Sequence, residues 1–268
     1  MSKELKTLYA TGCSHTAGGG LWWPQSIQWY GDNHNIFYKN EKDVAYPKVL
    51  ADLMGLKCVN TAKSGTGARR LIRKTWQYIR EVGLDEAKKT LFFLQINNPT
   101  VRLDFYSKEL NCNLVVNCRY DDNNKIDWIE TCDSHPNPTK SRSYFESYNE
   151  DFKHYLENYH SILNEYDVLG MEFIGLISFF KLHNIDFFIE ATDGFFYNYM
   201  SETIYTPDFR NKHIVMIENH MCLNLWAYAN KKLIHDETNG YSGDNHAGLF
   251  AQIEWAEKLK KFIEERLW

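Results

Sequence analysis

Within its first hundred residues this chain alternates regularly between short apolar runs and amphipathic stretches of helical period, and that alternation limits its fold more than any other feature. Residues 6–13 are apolar and dissolve into glycines, as a buried strand running into a loop would. "YPKVLADLMGLK" (46–57) sets Val49, Leu50, Leu53 and Met54 along one helix face, with Pro47 suited to a first turn and Gly55 to a stop. "CVNTAKSGTG" (58–67) reads as a short strand followed by a Ser/Gly/Thr loop. "ARRLIRKTWQYIREVG" then places Leu71, Ile72, Trp76, Ile79 and Val82 on a helical stripe. "TLFFLQIN" (90–97) is continuously apolar, as expected of a central parallel strand covered on both faces. Strand, helix, strand, helix, strand in that order predicts an α/β fold with a mostly parallel sheet.

The alternation resumes later. Residues 145–166 and 168–183 have helical period, and "IDFFIEAT" (185–192) reads as another buried strand. The C-terminal "HAGLFAQIEWAEKLKKFIEERLW" places Leu249, Ile253, Ala256, Leu259, Phe262 and Ile263 along one amphipathic helix. Two stretches interrupt the scheme. Residues 105–144 are polar, with strand-like "NLVVNCRY" and "KIDWIET", and are expected to form an inserted hairpin. Residues 194–243 carry Phe195, Phe196, Tyr197, Tyr199, Tyr205 and Trp226 with little period, and are expected to form an irregular or partly helical lid.

Bulk properties narrow the function classes. At 268 residues, 44% hydrophobic and 24% charged, the chain suits one large α/β domain spanning 1–268. A formal charge of −5 offers no basic footprint for nucleic acid. No window approaches the ~18 consecutive apolar residues of a membrane span. The N-terminal "MSKELKTLYA" has no secretory apolar core, so a cytoplasmic setting is expected, with a phage source also open. The six cysteines show no CxxC pair or regular framework, which favours free thiols. His213 and His220, and Asp121, Asp122, Asp127 and Asp133, lack a metal-ligand signature. "GTGARR" lacks the Gly-Lys-Ser/Thr of a phosphate loop.

Ligands of an open parallel sheet bind beyond the carboxyl ends of its strands, so the residues after each expected strand are the candidates. They are Gly12-Cys13-Ser14-His15-Thr16, then Asn60 to Gly65, then Gln95-Ile96-Asn97-Asn98. Just before the last helix comes Gly243-Asp244-Asn245-His246. A hydroxyl, a loop glycine, an amide and an Asp/His pair are the parts acyl transfer needs. Serine must lose its proton to a base, the base must be oriented by a carboxylate, and the oxyanion must meet fixed donors. Asp244 and His246 are two apart, which in an extended segment puts both on one face. Cys13 is the rival nucleophile. Neighbouring strand side chains alternate faces, so Cys13 should turn inward if Ser14 faces the rim.

These blocks, in this order, resemble the SGNH (GDSL-type) hydrolases. "TGCSHT" matches the family's first block at Ser14, with Cys13 where Asp is commoner. "NTAKSGTG" matches the second at Gly65. "QINN" matches the third in part, with Gln95 for Gly and Asn98 for Asp. "GDNHAG" gives a shortened Asp-x-His. The resemblance implies a three-layer α/β/α sandwich with Ser14 as nucleophile, His246 as base and Asp244 as its orienter. It implies an oxyanion hole from the Ser14 and Gly65 amides and the Asn97 side chain, with no metal or organic cofactor. An ester, such as an O-acetyl group on a glycan or small metabolite, is the expected substrate. His15, Trp22, Trp23, Phe195 and Tyr197 would line its pocket, and Gly18 to Gly20 would begin a loosened covering loop. Acyl transfer to another hydroxyl, or an inactive binding or structural module on the same fold, stays open, as does the oligomeric state.

Overall fold

The structure, a computed structural model, describes residues 4–19, 21, 41–96, 102–107, 112–117, 154–155, 157–159, 161–192, 206–237 and 245–267. Its centre is a four-stranded parallel sheet of β1 (Thr7–Thr11), β2 (Lys57–Asn60), β3 (Thr90–Ile96) and β6 (Phe187–Ala191), in the order β2-β1-β3-β6. Every residue of β3 is buried, which explains the apolar run Leu91 to Leu94 at its centre. An isolated parallel bridge from Ile189 to Ile214 extends the sheet beyond β6.

Side-chain alternation sends the strands into two separate cores. Tyr9, Phe92, Leu94, Phe187 and Ile189 pack under α3 (Ala68–Val82) and α5 (Ile162–Leu182). Leu8, Ala10, Leu91, Phe93 and Phe188 pack on the other face against α2 (Tyr46–Leu53), α7 (Leu223–Ala229) and α9 (Leu249–Leu267). The result is an α/β/α sandwich. Pro47 sits in the first turn of α2, and Gly55 follows its end at a left-handed φ of 68°. The short helices α1 (Ser14–Ala17), α4 (Leu84–Ala87), α6 (Pro207–His213) and α8 (Ile234–Glu237) fill the connections.

One expectation needs correction, and two gain detail. The two expected helical stretches, 145–166 and 168–183, meet inside one helix, α5, which starts only at Ile162, after the extended Ser161 whose side chain caps Asn164 N–H at 3.3 Å; residues 154–155 and 157–158 are helical ahead of it. Asp167 does not interrupt it, because a helix tolerates a polar residue wherever its face allows. The inserted hairpin pairs β4 (Arg102–Ser107) with β5 (Cys112–Asn117), antiparallel. "KIDWIET" lies outside the described residues. Within 194–243, the described part is folded into α6, α7 and α8, with Leu223 and Trp226 in the core.

Candidate active site

The turn from β1 into α1 sets the geometry. Gly12 has no room for a side chain: a Cβ there would lie 2.7 Å from Gln95 Cβ and collide with Thr16 Oγ1. Cys13 is extended and turns into the core, 6% exposed, where its thiol donates to Gln95 Oε1 at 3.0 Å. Ser14, the first residue of α1, is half-buried at the carboxyl-end rim of the sheet.

His246 reaches the same turn from the far end of the chain. A Cβ on Gly19 would lie 3.0 Å from Ser14 Cβ and 3.2 Å from His246 Nε2, so serine and imidazole close on one point where a side chain fits only if its neighbours give way by a few tenths of an ångström. The ring of His15 stands 4.9 Å from that of His246, tilted by 49°. Gly18 and Gly19 are therefore not a loosened loop. Gly18 ends α1 at a φ of 80°, Gly19 N–H donates to Ser14 O at 2.7 Å, and both are buried. Gly20 lies outside the described residues.

Backbone pairing and a helix cap fix His246. Its carbonyl accepts from Ile234 N–H at 2.8 Å, the next residue bridges to Leu233, and Gly248 N–H donates to Lys232 O at 2.9 Å. The Glu237 carboxylate then accepts the N–H groups of Phe250 and Ala251, at 3.2 and 3.0 Å, where α9 begins. A Cβ on Gly248 would strike that carboxylate.

The loop after β2 is pinned to the serine turn. Lys63 N–H donates to Gly12 O at 3.2 Å, and Asn60 Nδ2 donates to Thr16 O at 2.8 Å. Gly65 takes a φ of 76°, a left-handed conformation natural to glycine. At the end of β3, Thr192 donates through both N–H and Oγ1 to Ile96 O at 3.0 Å. Asn97, Asp244, Trp22, Trp23, Phe195 and Tyr197 lie outside the described residues.

Beneath the turn is a polar group that the sequence reading passed over. Glu190 of β6 is fully buried, and its carboxylate accepts from Tyr46 OH (2.7 Å), Gln95 Nε2 (2.7 Å), Trp255 Nε1 (2.8 Å) and Leu223 N–H (3.0 Å). Burial pushes its carboxyl up from 4.5 to about 7, although all these donors favour the anion. The available signal was the glutamate inside the apolar run "FFIEA", where an ionisable group must be partnered to be tolerated.

The rim therefore brings together a serine hydroxyl, an imidazole and a tethered glycine loop, a set suited to proton abstraction and acyl transfer. Among the described residues no cluster of three His, Cys, Asp or Glu side chains could hold a metal ion, and no helix is long and apolar enough to cross a membrane. Cys13, Cys58 and Cys222 are thiols, not members of a disulfide.

No protein-family model and no curated protein matches the chain. Among solved structures it is similar to a candidate lipolytic protein of the G-D-S-L family from Desulfitobacterium hafniense DCB-2. The identity is 12%, the TM-score 0.32, and the match covers 96% of this chain and 99% of that one. The architecture rests on the strands themselves: a parallel sheet ordered β2-β1-β3-β6 with helices on both faces is a flavodoxin-like α/β/α fold.

Proposed function

We propose that this protein is a serine hydrolase that cleaves esters through an acyl-enzyme. Ser14 Oγ attacks the ester carbonyl while His246 takes its proton. His246 returns that proton to the leaving alcohol, then draws one from the water that releases the acid. Asp244 orients His246 through the ring nitrogen facing away from the serine. The amides of Ser14 and Gly65, with the Asn97 side chain, receive the oxyanion. The substrate class is an O-acetyl ester of a carbohydrate or related metabolite, held among His15, Trp22, Trp23, Phe195 and Tyr197. These steps call on no metal or organic cofactor.

One observation carries the reading: Ser14 and His246, 232 positions apart in sequence, converge on Gly19. The test is a fluorophosphonate probe followed by peptide mass spectrometry, alongside hydrolysis of p-nitrophenyl acetate. The expected result is one adduct on Ser14, absent in Ser14→Ala and formed on the order of a hundredfold more slowly in His246→Ala. Absence of any Ser14 adduct in the wild-type chain would overturn it. A panel of esters of increasing acyl length then tests the preference for acetyl.

A further inference from the structure

We propose that Glu190 is a positioning residue for Ser14, holding the serine turn through two arms, and that gain or loss of its proton resets that turn. This rests on the hydrolase reading only for its catalytic consequence. The first arm runs through Gln95: Nε2 donates to Glu190 Oε2 at 2.7 Å, which fixes the amide so that Oε1 faces Cys13. Cys13 Sγ then lies 3.0 Å, and Cys13 N 3.4 Å, from that oxygen. The second arm runs through Tyr46, whose hydroxyl donates to Glu190 Oε2 at 2.7 Å and lies 3.3 Å from Thr16 Oγ1. Residues on both sides of Ser14 thus hang from one carboxylate oxygen.

The donor inventory makes this arrangement responsive to protons. Gln95 Nε2, Trp255 Nε1 and Leu223 N–H can only donate, so they require an acceptor at Glu190. Tyr46 alone can reverse. When Glu190 takes up a proton on Oε2, it donates to the Tyr46 oxygen, and the phenolic hydrogen turns to Thr16 Oγ1. The proton enters from solvent and no covalent bond other than O–H changes. Burial is the largest influence on Glu190 and brings its titration to about 7. The titratable groups facing it are the Tyr46 phenol on α2, the Cys13 thiol after β1 and the Cys222 thiol before α7. Burial raises the Tyr46 and Cys222 groups well away from neutrality.

The test follows the amide resonances of Cys13, Ser14 and Thr16 in the full-length, isotope-labelled chain from pH 5.5 to 8.5. A common midpoint near 7 is expected in the wild type and in His246→Ala, and its loss in Glu190→Gln. In Tyr46→Phe, Thr16 should lose its titration while Cys13 keeps it; this variant decides the matter if Glu190→Gln does not fold. Flat profiles in the wild type, persistence in Glu190→Gln, or disappearance in His246→Ala would each overturn the proposal. In parallel, Ser14 phosphonylation should slow about tenfold in Glu190→Gln. A serine that never labels in any variant defeats the hydrolase reading, while the amide titrations still decide the role of Glu190.

Discussion

Gly19 and His246 approach so closely that a methyl group on the glycine would sit 3.2 Å from the imidazole Nε2. On its other side the same methyl would press on Ser14 Cβ at 3.0 Å and on Ser14 O at 3.1 Å. Gly19→Ala should therefore part the serine from the histidine by a few tenths of an ångström without opening a cavity. The expected outcome is a fall of roughly tenfold or more in the rate of Ser14 phosphonylation. The melting temperature should move by only a few degrees, because one contact among many is strained. Wild-type labelling kinetics in Gly19→Ala would show that this contact does not set the pair's geometry.

Glu190 should leave a mark on stability as well. Its carboxyl titrates near 7 in the folded protein and near 4.5 when exposed, so the folded state binds the proton more tightly. The stabilisation is complete below about pH 4.5 and is lost as the pH rises through 7. A shift of this size corresponds to a loss on the order of 3 kcal/mol. Urea unfolding of the wild type should show that decline once the profile of Glu190→Gln, which cannot titrate there, is subtracted. Parallel profiles for the two proteins would rule out a raised carboxyl at this position.

His213 should work in the opposite direction. Its ring stacks on Phe187 at 4.1 Å with a 4° interplanar angle, and its Nδ1 lies 3.1 Å from Phe187 O. Burial lowers its pKa from 6.5 to about 4, so folding favours the neutral ring. The stability it contributes is present above 6.5 and is lost as the pH falls towards 4. The imidazole resonances of His213 in the folded chain should titrate with a midpoint near 4, and a midpoint near 6.5 would contradict this environment.

Glu237 and Gly248 make a third structural test. In Gly248→Ala the new methyl lands on the Glu237 carboxylate, which must leave the N–H groups of Phe250 and Ala251. Losing such a cap costs about 1 kcal/mol, equivalent to roughly 2–4 °C of melting temperature in a chain of this size. Labelling of Ser14 should slow too, since Gly248 lies two residues from His246 and the displaced start of α9 three. Glu237→Gln keeps an acceptor in place and should lose less. An alanine variant that melts and labels like the wild type would sink the argument.

The sequence revealed the sheet because short apolar runs such as "TLFFLQI", buried throughout, alternate with stretches of helical period, the pattern of covered parallel strands. The inward turn of Cys13 was also legible, since it follows from strand alternation next to Ser14. The pairing of β4 with β5 was not, because a polar, two-stranded ribbon carries little apolar pattern to choose between partners. The role of Gly19 escaped for a different reason. Glycine in sequence signals freedom, and only the approach of His246 from the other end of the chain turns that freedom into a requirement for space. Glu190 was hidden by its own strand. Its donors come from α2, β3, α7 and α9, and no local window contains more than one of them.

The alignment of β3 with β6 places Gln95 directly beside Glu190. Sliding β6 by one residue would turn the glutamate to the opposite face of the sheet, among Phe92, Phe180 and the other side chains packed under α3 and α5. There it would meet hydrocarbon in place of its four donors, at a cost of several kcal/mol. Apolar residues alone would not punish such a slip so heavily, because Phe187, Phe188 and Ile189 suit either face. The buried carboxylate thus acts as a proofreader of strand register: a sheet misaligned by one residue forfeits all four of its donors, and with them the support of the serine turn.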